Sequence, residues 1–349
     1  MDQRIDLRSD TVTLPTEAMR RAMYQAEVGD DVWGEDPTVK RLQEMAAERM
    51  GKEAALFVAS GTMGNLVSLL AHCRRGDEVI LGNECHIVHY EVGAAAVFGG
   101  LVYRTVSTTR FGELPLAEIE GAIRGPNVHF PPTGLICLEN THNRCGGTVL
   151  SVDYMRQVHE LAGRYHLPVH LDGARIFNAA IALGVEAREI ARYADSVMFC
   201  LSKGLSAPVG SLVCGTAEFV ERVHRMRKMV GGGMRQVGVI AAAGIVALQE
   251  MVDRLAEDHE NARLLAQGLA NIPGLAVDLE TVQTNMVMFY PTDPRWTTES
   301  LTQALWEEGV LLSCLGRTKI RAVTHYGIER KDVEEALKRI QRVVQGGKR

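Results

Sequence analysis

The sequence predicts an α/β protein: a mostly parallel sheet covered by helices on both faces, followed by a second, smaller α/β unit. Short apolar runs alternate with amphipathic helical spacing through the first two thirds of the chain. Runs that are apolar on both faces must be buried on both, which a parallel sheet between helical layers provides. Glycine-bearing turns follow Val58, Leu171 and Leu201. These are the carboxyl ends of strands, the edge where such sheets bind ligands. Near residue 250 the texture changes to charged helices and isolated strands. The expected division is a large domain, 21–248, and a small C-terminal domain, 249–349.

The elements follow in order. Asp36-Pro37 opens a helix, with aspartate as N-cap and proline in the first turn, and Gly51 closes it. A strand at 55–58, a helix at 62–73 and strands at 78–81 and 135–138 come next. Ser151 caps a helix reaching about Tyr165, and strands at 167–171, 196–201 and 211–214 complete the series. The longest apolar stretch, 237–248, is too short to cross a bilayer and reads as a buried helix. Beyond it lie a charged helix, 251–269, a strand at 285–289 and a helix near 301–308. Strands at 310–312 and 319–323 and a last helix, 331–344, end the small domain.

Composition narrows the function classes. The chain has 349 residues, 46% of them hydrophobic and 23% charged, with a net charge of −5. That balance fits a globular protein and argues against a general binder of nucleic acid or anionic membrane. Seven cysteines without a CxxC pair predict reduced thiols rather than a disulfide framework or zinc ribbon. The charged opening residues, Met1 to Asp6, lack the apolar run of a secretory leader. A cytoplasmic protein is expected.

Two segments carry the chemistry. Lys203 follows the apolar run Val197–Leu201 and precedes Gly204. An apolar setting lowers a lysine's pKa and frees its amine. Asp172 closes the run Leu167–Leu171 and is followed by Gly-Ala-Arg175. An acid ending one strand and a lysine ending a later one is the pairing that pyridoxal phosphate needs. The lysine forms the Schiff base, and the acid keeps the ring nitrogen protonated so that the ring accepts electrons. A surface lysine and a helix-cap aspartate are the plainer alternatives. The pair Asp172 and Arg175 also reads as a structural ion pair.

Other residues join this set. The turn Ala59–Asn65 has free N–H groups and a helix dipole suited to phosphate, without the lysine of a nucleotide loop. Gly231–Gly233 with Arg225, Arg227, Lys228 and Arg235 is either a flexible charged loop or a cationic arm. His86 and His89, beside Cys85 and Glu91, make a thin metal site, and no metal is expected. A histidine there also suits stacking on a ring or service as a base. His129 sits in a loop, His142 and Asn143 follow a strand end, and His170 is expected to pack within its strand. Arg321, in the middle of a strand, needs a partner: a substrate carboxylate or a structural salt bridge.

Assembled, the segments resemble the low-specificity L-threonine aldolases, fold-type I pyridoxal-phosphate enzymes. The resemblance runs over nearly the whole chain. It rests on Asp6–Thr13, Glu27–Val32, Gly34–Pro37, Ser60–Met63, Leu138–Asn143, His170–Arg175, Cys200–Leu205, Ala207–Ser211 and Lys228–Gln236. It implies a transferase-like large domain with a seven-stranded sheet and an N-terminal arm, 1–20, that contributes to the active site. It implies that Lys203 binds the cofactor covalently, Asp172 pairs with its nitrogen, Arg175 contacts it and His86 stacks on it. Gly61 and Thr62 would hold the phosphate with Arg235 and Lys228, the latter two reaching across a subunit boundary. Ser9, Arg175 and Arg321 would grip the substrate carboxylate, and His129 would lie near the β-hydroxyl, with His86 or His129 as the base.

The activity implied is cleavage of L-threonine or L-allo-threonine to glycine and acetaldehyde by a homotetramer with sites at dimer interfaces. Two departures bear on substrate size and access: Trp33 stands where relatives carry tyrosine, and the segment Arg144–Thr148 is longer than in some relatives. A β-eliminating lyase or an aminotransferase is the nearest rival, and a non-catalytic scaffold of the same fold a remote one.

Overall fold

The computed structural model describes residues 4–346. Thirteen strands occur among the described residues. In chain order they are β1 (Ile5–Asp6), β2 (Ala54–Val58), β3 (Glu78–Gly82), β4 (Val102–Val106), β5 (Thr133–Glu139), β6 (Val169–Asp172) and β7 (Ser196–Cys200). They continue as β8 (Ser211–Gly215), β9 (Leu275–Val277), β10 (Met286–Pro291), β11 (Val310–Leu311), β12 (Ser313–Leu315) and β13 (Lys319–Val323).

A seven-stranded sheet of order β2-β8-β7-β6-β5-β3-β4 forms the centre. Every neighbouring pair is parallel except those of β8, which runs antiparallel to both β2 and β7. β3, β6, β7 and β8 are buried along their whole length, which is why their sequences read as apolar runs rather than as alternation. β4 has no such run. It lies on the edge, with Val102 exposed and Arg104 in its centre, so sequence spacing did not mark it.

The helices expected at 37–50 and 152–164 begin at their caps. Asp36 accepts from the N–H of Val39, and Ser151 from that of Tyr154. Gly51 ends the first of these with a φ of 61°, a left-handed turn that suits glycine. The apolar stretch near residue 240 is the buried helix Gly238–Glu250. No helix among the described residues is long and apolar enough to cross a membrane.

A four-stranded antiparallel sheet, β12-β13-β10-β9, builds the smaller unit. Its apolar core runs from Ala262 to Val344 and also takes in Ile5 and Leu7. β1 pairs in parallel with β11. The N-terminal segment is therefore anchored on the small unit before it crosses to the large one at Asp10. The charged helix begins at Leu255 rather than Met251, because residues 251–254 form turns at the junction.

Candidate active site

The carboxyl ends of β5, β6 and β7 face the small sheet, and a cavity of about 230 Å³ opens between them. Its lining brings together Ser9, His86, Asn143, Arg175, Lys203 and Arg321, six residues singled out from the sequence, with Thr11, Tyr90 and Leu315. Ser9 and Thr11 come from the N-terminal arm, Lys203 follows β7, and Arg321 belongs to β13 of the small unit.

Asp172 ends β6 with its carboxylate buried. Gly173 turns the chain against β7: its N–H donates to the carbonyl of Met198 at 2.8 Å, and a Cβ there would stand 2.9 Å from that oxygen. Any side chain would push the turn away, so glycine lets Asp172 stay at the sheet edge. Oδ1 of Asp172 accepts from the N–H of Ala174, and Oδ2 from Nδ2 of Asn65 at 2.8 Å. Arg175 does not pair with Asp172. Its Nε and Nη2 donate to the two carboxylate oxygens of Asp10 at 2.7 and 2.6 Å. Burial alone would push the Asp10 carboxyl up, but Arg175 beside it holds it well below the usual carboxylate range.

His86 opens a short helix, and its Nδ1 lies 2.9 Å from Oε1 of Glu91. Burial works to lower the pKa of His86. The bond to Glu91 and the charges of Asp172, Glu91 and Glu139 outweigh it and raise the value. Glu139, at the end of β5, accepts from the backbone N–H of His86 and of Asn143 at 2.7 and 2.8 Å. One carboxylate thus ties together two strand-end turns. His89 points elsewhere, to the carbonyl of Asn83 at 2.8 Å, so the two histidines do not converge on one ion.

Arg321 has no carboxylate partner among the described residues. Nη1 donates to Oδ1 of Asn143 at 2.6 Å and Nη2 to the carbonyl of Arg8 at 3.3 Å, while Nε is buried without an acceptor. Burial, and then repulsion from Arg175, lower its pKa. Two guanidiniums therefore line one cavity, and only that of Arg175 is neutralised among the described residues.

Gly61 and Thr62 form the first turn of the helix Gly61–His72, capped by Ser60, whose Oγ accepts from the N–H of Met63. A Cβ on Gly61 would meet Sγ of Cys200 at 2.8 Å. The turn thus sits against the end of β7, a few residues before Lys203, and its first N–H groups lie outside the helical ladder. The loop after Met229 packs over the same turn, with a Cβ on Gly232 standing 2.5 Å from Sδ of Met63.

The remaining expected residues lie outside the cavity lining. Arg235 is exposed and pairs with Asp30 at 2.8 Å, and Lys228 lies in the last turn of the helix Ala217–Met229 next to Gly233. His129 stands exposed on the loop before β5, and Trp33 is 76% exposed on a turn. Arg144 donates to Glu84 and to the hydroxyl of Tyr90 at 3.0 Å, so the longer loop braces one wall. Asp10, Asn65, Glu91 and Tyr90 were not singled out as site residues. Asp10 has a signal as a charge within the N-terminal segment, Glu91 as an acid near His86 and Asn65 as the end of the turn after β2, but the sequence does not show that they meet.

A sheet with one reversed strand, a lysine after that strand's neighbour and a buried acid one strand further on define fold-type I, the architecture of a large class of pyridoxal-phosphate enzymes. The family described as beta-eliminating lyase matches residues 6–292. The chain belongs to that family, in its threonine aldolase branch. It is 51% identical over 344 residues to the low-specificity L-threonine aldolase 1 of Arabidopsis thaliana, covering 97% of this chain and 96% of that one. It is 45% identical over 331 residues to the low specificity L-threonine aldolase of Escherichia coli K12, covering 95% and 96%. The threonine aldolase of Leishmania major shares the fold with a TM-score of 0.84 at 18% identity, covering 97% and 99%.

Proposed function

We propose that this chain is a pyridoxal-phosphate-dependent aldehyde-lyase that cleaves L-threonine and L-allo-threonine to glycine and acetaldehyde. The observation that carries the reading is the single cavity joining Lys203 and His86 to Arg321, whose buried Nε has no acceptor. The named relatives support the choice of substrate.

The residues fit the cofactor. Lys203 offers the amine for its attachment, Asp172 the acid for its nitrogen, and the first turn at Gly61 and Thr62 the donors for its phosphate. When bound, pyridoxal phosphate supplies an electron sink for the pair released at the substrate's Cα. Arg321, Arg175 and Ser9 bind the amino-acid carboxylate, and Arg175 is held in place by Asp10. His86, oriented through Nδ1 by Glu91, presents its other nitrogen as the base for the β-hydroxyl proton. Loss of that proton turns the β-carbon into an aldehyde as the Cα–Cβ bond breaks. Return of a proton to Cα gives glycine.

His129, Lys228 and Arg235 stand outside their own chain's cavity, and we assign them to a neighbouring copy's site in a homotetramer. Exposed Tyr24, Trp33, Val92 and Val97 supply apolar surface for such contacts. The seven free cysteines agree with a cytoplasmic protein.

The test is acetaldehyde release from L-threonine by cofactor-loaded protein, beside the Lys203→Ala variant. Release that disappears in the variant is the expected result. Pyruvate and ammonia from serine, with no acetaldehyde from threonine, would overturn the reading in favour of a β-eliminating lyase.

A further inference from the structure

Behind the cavity, one line of hydrogen bonds runs between the large sheet and the helix Gly61–His72. Nε2 of His72 lies 2.7 Å from Oγ of Ser196, and Nδ1 of His170 lies 2.8 Å from the same oxygen. Nε2 of His170 lies 3.1 Å from Oδ1 of Asn65, and Nδ2 of Asn65 lies 2.8 Å from both Oε1 of Glu91 and Oδ2 of Asp172. Asn65, His170, Ser196, Glu91 and Asp172 are all buried. The geometry follows from the fold. Asn65 and His72 are seven residues apart on the helix Gly61–His72, hence on one face. His170 and Ser196 are register partners on β6 and β7 beneath it.

The chain of bonds has one direction. Carboxylates only accept, so the amide nitrogen of Asn65 must face Glu91 and Asp172, and its oxygen must face His170. Nε2 of His170 then carries the hydrogen. Burial lowers the pKa of His170 to about 4, so the ring is neutral near pH 7 and its Nδ1 must accept. The Ser196 hydroxyl donates to it. With that hydrogen spent, Ser196 Oγ accepts from His72, whose pKa burial lowers to about 3. Each donor and acceptor has one role, and both hydrogens of the Asn65 amide end on the two carboxylates.

We propose that Asn65, held by this one-way relay from His72 through Ser196 and His170, is a positioning residue that fixes Asp172 and Glu91 with the two hydrogens of a single amide. The proposal rests on the function assigned above, in which Asp172 serves the cofactor nitrogen and Glu91 orients His86. Oxygens of these two buried carboxylates lie within 4.8 Å of each other. The amide stands between them, so Asp172 keeps its orientation toward the cofactor and Glu91 keeps its bond to His86. The other titratable groups facing this centre are Glu139, Cys85, Cys137 and Tyr103. Lys203, Arg175 and Asp10 lie on the cavity side.

Nitrogen NMR of 15N-histidine protein, without and with cofactor, tests the relay directly. His170 is expected neutral with hydrogen on Nε2 near pH 7 in both states. Asn65→Leu and Ser196→Ala are expected to move the pH at which the bound cofactor changes its visible absorption. In Asn65→Leu, kcat is expected to fall roughly tenfold or more with KM changed less than about threefold, and Ser196→Thr, which keeps the hydroxyl, restores the native midpoint. Hydrogen on Nδ1 of His170 would overturn the proposal. So would an unchanged absorption midpoint in Ser196→Ala, which shortens one buried side chain only. Failure of the unaltered protein to attach the cofactor at Lys203 would overturn the functional reading instead, and the histidine tautomer in cofactor-free protein would still decide the relay.

Discussion

Asp10 and Arg175, 165 residues apart in the chain, meet in two parallel hydrogen bonds of 2.6 and 2.7 Å. Both side chains are almost wholly buried. The bond joins the N-terminal arm, anchored on the small unit through β1, to the turn after β6 in the large unit. It engages Nε and Nη2 of Arg175 and leaves Nη1 without a partner among the described residues, so the arginine has one donor to spare for the cavity.

Asp10→Ala is therefore expected to cost about 3–5 kcal/mol of stability, because a buried guanidinium is left uncompensated. Asp10→Asn keeps the volume and one acceptor and is expected to unfold at intermediate denaturant. Both variants should raise KM for threonine more than they lower kcat, since Arg175 loses its orientation. Urea unfolding and steady-state kinetics check the two effects separately. Native-like stability in Asp10→Ala would show that the pair is solvated.

Arg321→Lys should raise KM for threonine about tenfold or more with a smaller change in kcat. A lysine cannot reproduce a two-pronged contact to a carboxylate, and Nη1 of Arg321 is already committed to Asn143. An unchanged KM would remove Arg321 from substrate binding.

Glu91→Gln should move the acidic limb of the kcat/KM profile to lower pH. Burial lowers the pKa of His86, but Glu91 and its neighbouring carboxylates raise it above the ordinary histidine value. The base works in its neutral form, so a higher pKa keeps it protonated to a higher pH. Removing the Glu91 charge lets His86 lose its proton earlier, and activity persists further into acid. A limb that stays in place would mean that another group sets it.

Stability should fall as the pH drops from about 6.5 toward 4. In the unfolded chain each imidazole takes up a proton near pH 6.5. In the folded protein burial lowers His170 and His259 to about 4 and His72 to about 3. Between those values the unfolded state binds more protons, so stability rises with pH across this window and is lost on acidification. Each histidine contributes at most about 1.4 kcal/mol per pH unit. Urea midpoints measured at steps across the window check this, and His259→Gln should flatten the slope by one histidine's share.

Much of the fold was readable because its strands are buried on both faces. β6 and β7 are continuous apolar runs ending in Asp172 and Cys200, so the turns carrying the acid and the lysine were found from their context. β4 escaped because an edge strand with Arg104 at its centre needs no apolar run. The site was readable where chemistry is unusual for its place: Lys203 after a buried strand, Arg321 within one. It was silent where ordinary residues acquire roles by packing. Asn65 is a mid-helix asparagine, and Glu91 a loop acid, until His86 and Asp172 arrive from other elements. His170 is expected to pack within its strand; it is buried there, but with Nδ1 bonded to Ser196 on the next strand and Nε2 to Asn65 on the covering helix.

Mixed oligomers should reveal a site shared between copies. Arg235 does not line its own cavity; it is exposed, tied to Asp30, and carried on a loop that packs over the turn at Gly61 beside Met63. A cation in that place adds little to its own chain's stability, because an exposed ion pair contributes at most about 1 kcal/mol. On the proposed assignment it reaches an anion at the neighbouring chain's helix start. Arg235→Ala and Lys203→Ala should therefore each be impaired alone, the first through weaker cofactor retention and the second through loss of the attachment amine. When the two variants are unfolded together and refolded, some cavities receive an intact Lys203 from one chain and an intact Arg235 from the other. Activity in the mixture above that of either parent is the expected outcome, read as acetaldehyde release at limiting cofactor. If the mixture only averages its parents, Arg235 serves its own chain.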